Sequence, residues 1–115
     1  MATTGTKTFQ NYIGGEWLDA ASGETFESHN PATGELVGIF PKSGAEDVDR
    51  AVEAAKAAYE SWRLVPAPKR AEILFRVGQR FIDHKDELTE LMVQEMGKVR
   101  AEAGGDVQEA IDMTY

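Results

Sequence analysis

The sequence contains no cysteine and only four prolines among its 115 residues. The missing thiols exclude disulfides, thiolate metal sites and cysteine nucleophiles within this stretch. Long apolar runs are also missing, because none approaches the roughly 20 residues that a membrane-spanning helix needs. Residues 1–7 are largely polar and lack the apolar core of a secretory signal. These absences predict a cytoplasmic chain that does not bind a membrane.

Signatures of phosphate and metal binding are absent as well. No two glycines stand two positions apart, so the dinucleotide-binding pattern G-x-G-x-x-G does not occur. Gly97-Lys98 resembles the end of a P-loop, but the glycine needed five positions earlier is Met92. His29 and His84 lack a second histidine at helical or hairpin spacing, and a zinc site needs three or four ligands. The residues by themselves therefore predict no catalytic or cofactor-binding site.

The charge of the chain bears on its partners. The formal net charge is −8, and 28% of the residues are charged. A surface of this sign repels the phosphates of nucleic acid and of anionic lipid, so neither is an expected partner. The length allows one small domain.

Residues 9–42 predict a hairpin region made of short strands and turns. Tyr12–Leu18 places Gly14-Gly15 between two apolar pairs, which is typical of a tight hairpin. The segment 30–34 (Asn-Pro-Ala-Thr-Gly) predicts a second turn, because proline fixes φ and Gly34 can adopt a positive φ. The apolar run 36–40 then reads as a strand that ends at a proline.

Residues 43–115 predict three to four amphipathic helices. Ser43 and Glu46 fit a capping box, in which each side chain satisfies an exposed amide of the other residue. Apolar residues then recur at spacings of three and four along four stretches, which is the helical pattern. Pro66 and Pro68 separate the first two helices, His84-Lys85-Asp86 marks a joint before the third, and Gly97 stands where a helix C-cap favours glycine. Gly104-Gly105 weakens the fourth helix.

No run in the chain reads as a buried parallel strand. We therefore interpret the helices as the outer layer of a fold whose sheet is not in this stretch. The alternative is a small helical domain that is sufficient by itself.

Several motifs occur in an order that resembles the start of aldehyde dehydrogenases. The likeness covers Phe9 to Tyr115. The motifs are Tyr12-Ile13-Gly14-Gly15-Glu16-Trp17, Asn30-Pro31-Ala32-Thr33-Gly34-Glu35, Asp47–Ala55, Lys69–Leu74, Asp86-Glu87-Leu88 and Glu95-Met96-Gly97-Lys98.

The resemblance implies an α/β parent fold with a Rossmann-type cofactor domain. Residues 9–115 would form the amino-terminal portion of that domain, after a flexible terminus at 1–8. The parent would oxidise an aldehyde to a carboxylic acid with NAD or NADP, through a thiohemiacetal on a cysteine, as a homodimer or homotetramer. The family's catalytic residues match positions beyond Tyr115, so we expect the 115-residue chain alone to be inactive.

The resemblance also implies a structural monovalent cation. Some family members hold one with main-chain carbonyls before the Asn-Pro turn and with a helical aspartate. By position these correspond to Ser28, His29 and Asp106. The alternative for Asp106 is a helix cap or a first-turn acid after Gly104-Gly105.

A second class of function stays open at this point. The chain could be a standalone helical interaction or regulatory module without enzymatic activity. The coding sequence beyond Tyr115 discriminates between the two hypotheses.

Overall fold

The computed structural model describes residues 7–115, so most of the terminus predicted to be flexible lies outside the described residues. Thr8 forms a parallel bridge with Ile39. The chain divides into two compact units, of which the first runs through His29 and resumes at Glu35–Leu64. The second comprises Asn30–Gly34 and Val65–Tyr115. Within 7–115, no helix combines the length and the apolar character needed to cross a bilayer.

The first unit contains all four strands and one helix. They are β1 (Asn11–Ile13), β2 (Glu16–Leu18), β3 (Thr25–His29), β4 (Leu36–Pro41) and α1 (Ala45–Trp62).

The strands β1 and β2 form the hairpin that the sequence predicted. They pair antiparallel, with Tyr12 opposite Trp17. Gly14 and Gly15 make the turn at φ values of 61° and 87°, which glycine adopts without a steric penalty.

A second antiparallel pair joins β3 and β4, with Phe26 opposite Phe40 and a register shift between Ser28 and His29. The rings of Phe9 and Phe40 stack with centroids 4.8 Å apart. Gly38 lets Phe9 approach, because a Cβ on Gly38 would lie only 2.6 Å from the Phe9 ring. The sequence predicted the strand at 36–40 but not its pairing with β3, which depends on register rather than composition.

The start of α1 differs from the prediction. The helix begins one residue later than Ser43 requires, with Gly44 as N-cap. Asp47, not Glu46, therefore stands at the third helical position and accepts a hydrogen bond from the Gly44 N–H at 3.0 Å. The Ser43 hydroxyl instead accepts from the Asn11 side-chain amide at 2.7 Å. The predicted capping box of Ser43 and Glu46 is wrong.

The second unit contains the helices α2 (Ala67–Asp83), α3 (Lys85–Met96) and α4 (Arg100–Asp112). Their predicted boundaries are confirmed: Pro66 is the N-cap of α2, and His84 lies between α2 and α3. Gly97 ends α3 at a φ of 66°. The pair Gly104-Gly105 does not interrupt α4, and a Cβ on Gly104 would meet Thr89 of α3 at 3.8 Å.

The buried apolar residues of the second unit come from one face of α4. Ala103, Val107 and Ile111 are at most 4% exposed, and they belong to the apolar stripe predicted for this helix. The apolar stripe predicted on α1 is not buried within the described structure, because its residues Val48 and Tyr59 are each more than half exposed. An amphipathic helix normally buries such a face.

Candidate functional site

The turn at Asn30–Gly34 is rigid because three features fix it. The Asn30 side chain is buried, and its Oδ1 accepts from the Ala32 N–H at 2.9 Å. The Asn30 carbonyl accepts from the Gly34 N–H at 2.8 Å, and Gly34 has a φ of 78°. Pro31 restricts its own φ. The predicted turn is thus confirmed, and the buried Asn30 side chain stabilises it through a hydrogen bond within the turn.

This turn contacts the end of α3. Gly97 donates its N–H to the Val93 carbonyl at 2.9 Å and takes the left-handed conformation of a helix C-cap. A Cβ on Gly97 would lie 2.9 Å from the Pro31 ring and 3.3 Å from the Ala32 nitrogen. Two motifs that are more than 60 residues apart in the sequence therefore meet in the second unit.

Lys98 follows this C-cap and is largely enclosed, with a side chain only 16% exposed. Its Nζ forms an ion pair with Asp106 and lies 3.6 Å from the Glu102 carboxylate. The hydrogen bond to Asp106 raises the pKa of the Lys98 ammonium above its ordinary value, and desolvation opposes that rise. We call Lys98, Glu102 and Asp106 the lysine cluster.

Asp106 lies in the second turn of α4, because the helix begins at Arg100 and continues through both glycines. The alternative interpretation of Asp106 as a cap or first-turn acid is therefore wrong, and the first-turn acid is Glu102. Sequence reasoning missed Lys98, because it lies before α4 and only Glu102 and Asp106 share the i, i+4 spacing of one helix.

The three predicted cation ligands lie in different units. Ser28 and His29 are in β3 of the first unit, opposite Gly38 and Leu36, while Asp106 is in α4 of the second. The His29 Nε2 lies 3.1 Å from a Glu27 carboxylate oxygen. Among residues 7–115, no three His, Cys, Asp or Glu side chains form a group suited to a metal ion. The cation site stays a prediction.

A buried carboxylate fixes the loop geometry of the first unit. Asp47 is 4% exposed, and its Oδ1 accepts from the Ala21 N–H at 2.9 Å. Its other oxygen accepts from Gly44, as described above. The N–H groups of Gly44 and Ala21 hold the pKa of the Asp47 carboxyl below its ordinary value. Asp47 thereby joins the start of α1 to the loop between β2 and β3.

An apolar groove of about 370 Å³ runs across the second unit. Its apolar lining includes Phe81, Leu88, Leu91, Met92, Met96 and Val107, and Glu95 and Asp106 are also among the lining residues. These side chains belong to α2, α3 and α4.

Comparison with known proteins identifies the family. The profile of the Aldehyde dehydrogenase family matches residues 17–115. The chain belongs to this family, and the fold implied by the resemblance is confirmed as a hairpin region followed by four helices.

Individual relatives agree with this assignment. The chain is 47% identical over 110 residues to malonate-semialdehyde dehydrogenase 2 of Geobacillus kaustophilus (strain HTA426). That alignment covers 96% of this chain but only 23% of the relative, so the chain spans about a quarter of its length.

Two solved structures share the fold. An NADP-dependent enzyme of E. coli has a TM-score of 0.88 and 41% identity, over 91% of this chain and 22% of that chain. An NAD-dependent aldehyde dehydrogenase from Sinorhizobium meliloti has a TM-score of 0.89 and 31% identity, over 95% of this chain and 22% of that chain.

Proposed function

We propose that residues 9–115 form the amino-terminal portion of the cofactor domain of an NAD(P)-dependent aldehyde dehydrogenase. The observation that carries the proposal is the family match across 17–115. When bound, the nicotinamide of NAD or NADP accepts a hydride from the substrate carbon. In the proposed reaction a cysteine thiolate adds to the aldehyde as a thiohemiacetal, hydride loss leaves a thioester, and water releases the acid and the thiol.

The chain supplies none of the reacting groups in this proposal. It has no cysteine, so the nucleophile must come from another part of the parent enzyme. Its own contribution is a scaffold, in which rigid turns and polar contacts set the positions of the hairpins and of the four helices. The open apolar groove and the exposed stripe of α1 support a role in packing against further protein layers.

A semialdehyde is the first substrate class to test. The relative from Geobacillus kaustophilus is named for malonate semialdehyde, which makes that compound the natural probe. The solved relatives are described as NADP-dependent and as NAD-dependent, so both cofactors belong in the assay. We further propose that the parent assembles as a homodimer or homotetramer, which light scattering on the purified enzyme measures.

The coding sequence beyond Tyr115 tests the proposal. A Pro-Trp-Asn region followed by a cysteine motif, with malonate-semialdehyde oxidation by the full product, is the expected result. A natural stop codon after Tyr115 would overturn it, and would favour a standalone interaction or regulatory module.

A further inference from the structure

Asp106 already has a cationic partner within its own unit. The Lys98 ammonium is in direct contact with the Asp106 carboxylate, and Glu102 lies 3.6 Å from the same nitrogen. Glu102 and Asp106 are four residues apart and therefore share one face of α4. Lys98 precedes the N-cap of α4, Val99, and its ammonium reaches the exposed oxygens of that face from outside the helix.

The local fold holds Lys98 in this position. Its side chain is 16% exposed, whereas the side chains of Asp106 and Glu102 are 42% and 64% exposed. The backbone that leads into Lys98 is fixed by the C-cap at Gly97, which contacts the ring of Pro31. A long, flexible side chain is thus enclosed at its base and paired at its end.

We propose that the Lys98 ammonium is the resident cation of Asp106, so that this carboxylate does not ligand a monovalent metal ion. A metal ion on the same carboxylate would place two positive charges within a few ångströms of each other, which is unfavourable outside bulk water. The ammonium also supplies directed hydrogen bonds from a group that is covalently attached. The residues present at Asp106 therefore do not fit the predicted cation.

Lys98 is a positioning residue in this proposal. It links the end of α3 to the second turn of α4, next to the Asn30–Gly34 turn. The proposal concerns residues of this chain alone and does not depend on the activity of the parent enzyme.

A double-mutant cycle on the full chain tests the proposal. The variants are Lys98→Met, Asp106→Asn and their combination, with thermal unfolding followed by circular dichroism. KCl, NaCl and choline chloride are compared at equal ionic strength. Lys56→Met is the matched control, because Lys56 pairs with Glu53 at 3.1 Å in an exposed position on α1.

The expected result is the same wild-type Tm in all three salts. Each single variant lowers the Tm by several degrees, the double variant lowers it no further, and Lys56→Met leaves it nearly unchanged. A higher wild-type Tm in KCl or NaCl than in choline chloride, abolished by Asp106→Asn, would overturn the proposal. Additive effects of the two single substitutions would also overturn it.

Ion counting keeps the proposal testable if Lys98→Met fails to fold. The wild-type chain is passed through KCl and then gel-filtered into choline chloride before atomic emission analysis. Potassium well below one ion per chain is expected. One retained ion per chain, lost in Asp106→Asn, would show that Asp106 ligands the metal. Lys98→Arg keeps the positive charge and is expected to retain the wild-type Tm.

Discussion

The two compact units differ in what they bury. Among the described residues of the first, the buried side chains are those of Ala20 and Asp47, and backbone pairing supplies much of the order. In the second, α4 buries three apolar residues against the neighbouring helices, and the polar side chains of Asn30 and Thr89 are also buried. The stability that polar contacts supply depends on hydrogen-bond geometry and on pH. The stability that apolar packing supplies depends on the volume of the buried side chains.

The largest difference is expected at two glycines with positive φ. Gly97 in the second unit has a φ of 66° and lies against Pro31, whereas Gly23 in the first has a φ of 73° and open space around it. Gly97→Ala should destabilise the chain by about 2–4 kcal/mol, from backbone strain plus a steric clash. Gly23→Ala should cost about 1–2 kcal/mol from strain alone. Urea unfolding of both variants measures the difference, and equal losses would show that the Pro31 contact is unimportant.

Two valines give the next contrast. Val107 is 4% exposed in α4, while Val48 is 58% exposed in α1. Val107→Ala should lower the free energy of unfolding by about 2 kcal/mol, because it removes buried methyl groups and leaves a cavity. Val48→Ala should change it by less than about 0.5 kcal/mol. A larger loss at Val48, measured by the same unfolding experiment, would mean that the α1 stripe is covered in solution.

The Asp47 carboxylate gives the first unit a pH dependence. Its folded pKa lies below the ordinary value of about 3.8, so its contribution is present above that pH and is lost as the pH falls through the folded value. Asp47→Asn should lower the Tm at neutral pH by less than Val107→Ala does. The Tm difference between Asp47→Asn and the wild-type chain should become smaller at acidic pH.

Asp49→Asn is the control for that comparison, since Asp49 is an exposed acid on the same helix. It should leave the Tm nearly unchanged at both pH values. A pH-independent deficit for Asp47→Asn would contradict the ionic role of the buried carboxylate.

The smallest effect is expected at the β1–β2 hairpin. The rings of Tyr12 and Trp17 are 4.8 Å apart, and both side chains are more than 60% exposed. Trp17→Thr keeps a β-favouring residue and should cost under about 1 kcal/mol, the value of one cross-strand pair. A clearly larger loss in a thermal unfolding experiment would show that the aromatic pair is part of a buried interface.

Local signals predicted much of this fold. The hairpin and the helix boundaries could be predicted because residues that favour turns, helix caps or helix ends stand at them. These residues are Gly14-Gly15, Pro66, His84 and Gly97. The β3–β4 pairing could not, because register is decided by contacts across the fold such as the approach of Phe9 to Gly38. The capping box was displaced by one residue for a similar reason, since Asp47 also binds the Ala21 N–H.

The candidate site was less predictable. The Asn30–Gly34 turn and Gly97 were each recognised alone, but the contact between them depends on the packing of the second unit. The pairing of Lys98 with Asp106 was not predicted, because Lys98 lies between two helices and its approach to Asp106 depends on the C-cap at Gly97 and the start of α4. The cation at Ser28, His29 and Asp106 remains a prediction from the resemblance, and the proposed pairing of Lys98 with Asp106 argues against it.

The most direct measurement is an assay of the purified 115-residue chain with malonate semialdehyde and either NAD or NADP. Because the chain contains no thiol nucleophile, no aldehyde-dependent formation of NADH or NADPH is expected. The proposed parent enzyme should show turnover in the same assay. Steady turnover that co-purifies with the 115-residue chain itself would contradict the proposed role as a scaffold without catalytic groups.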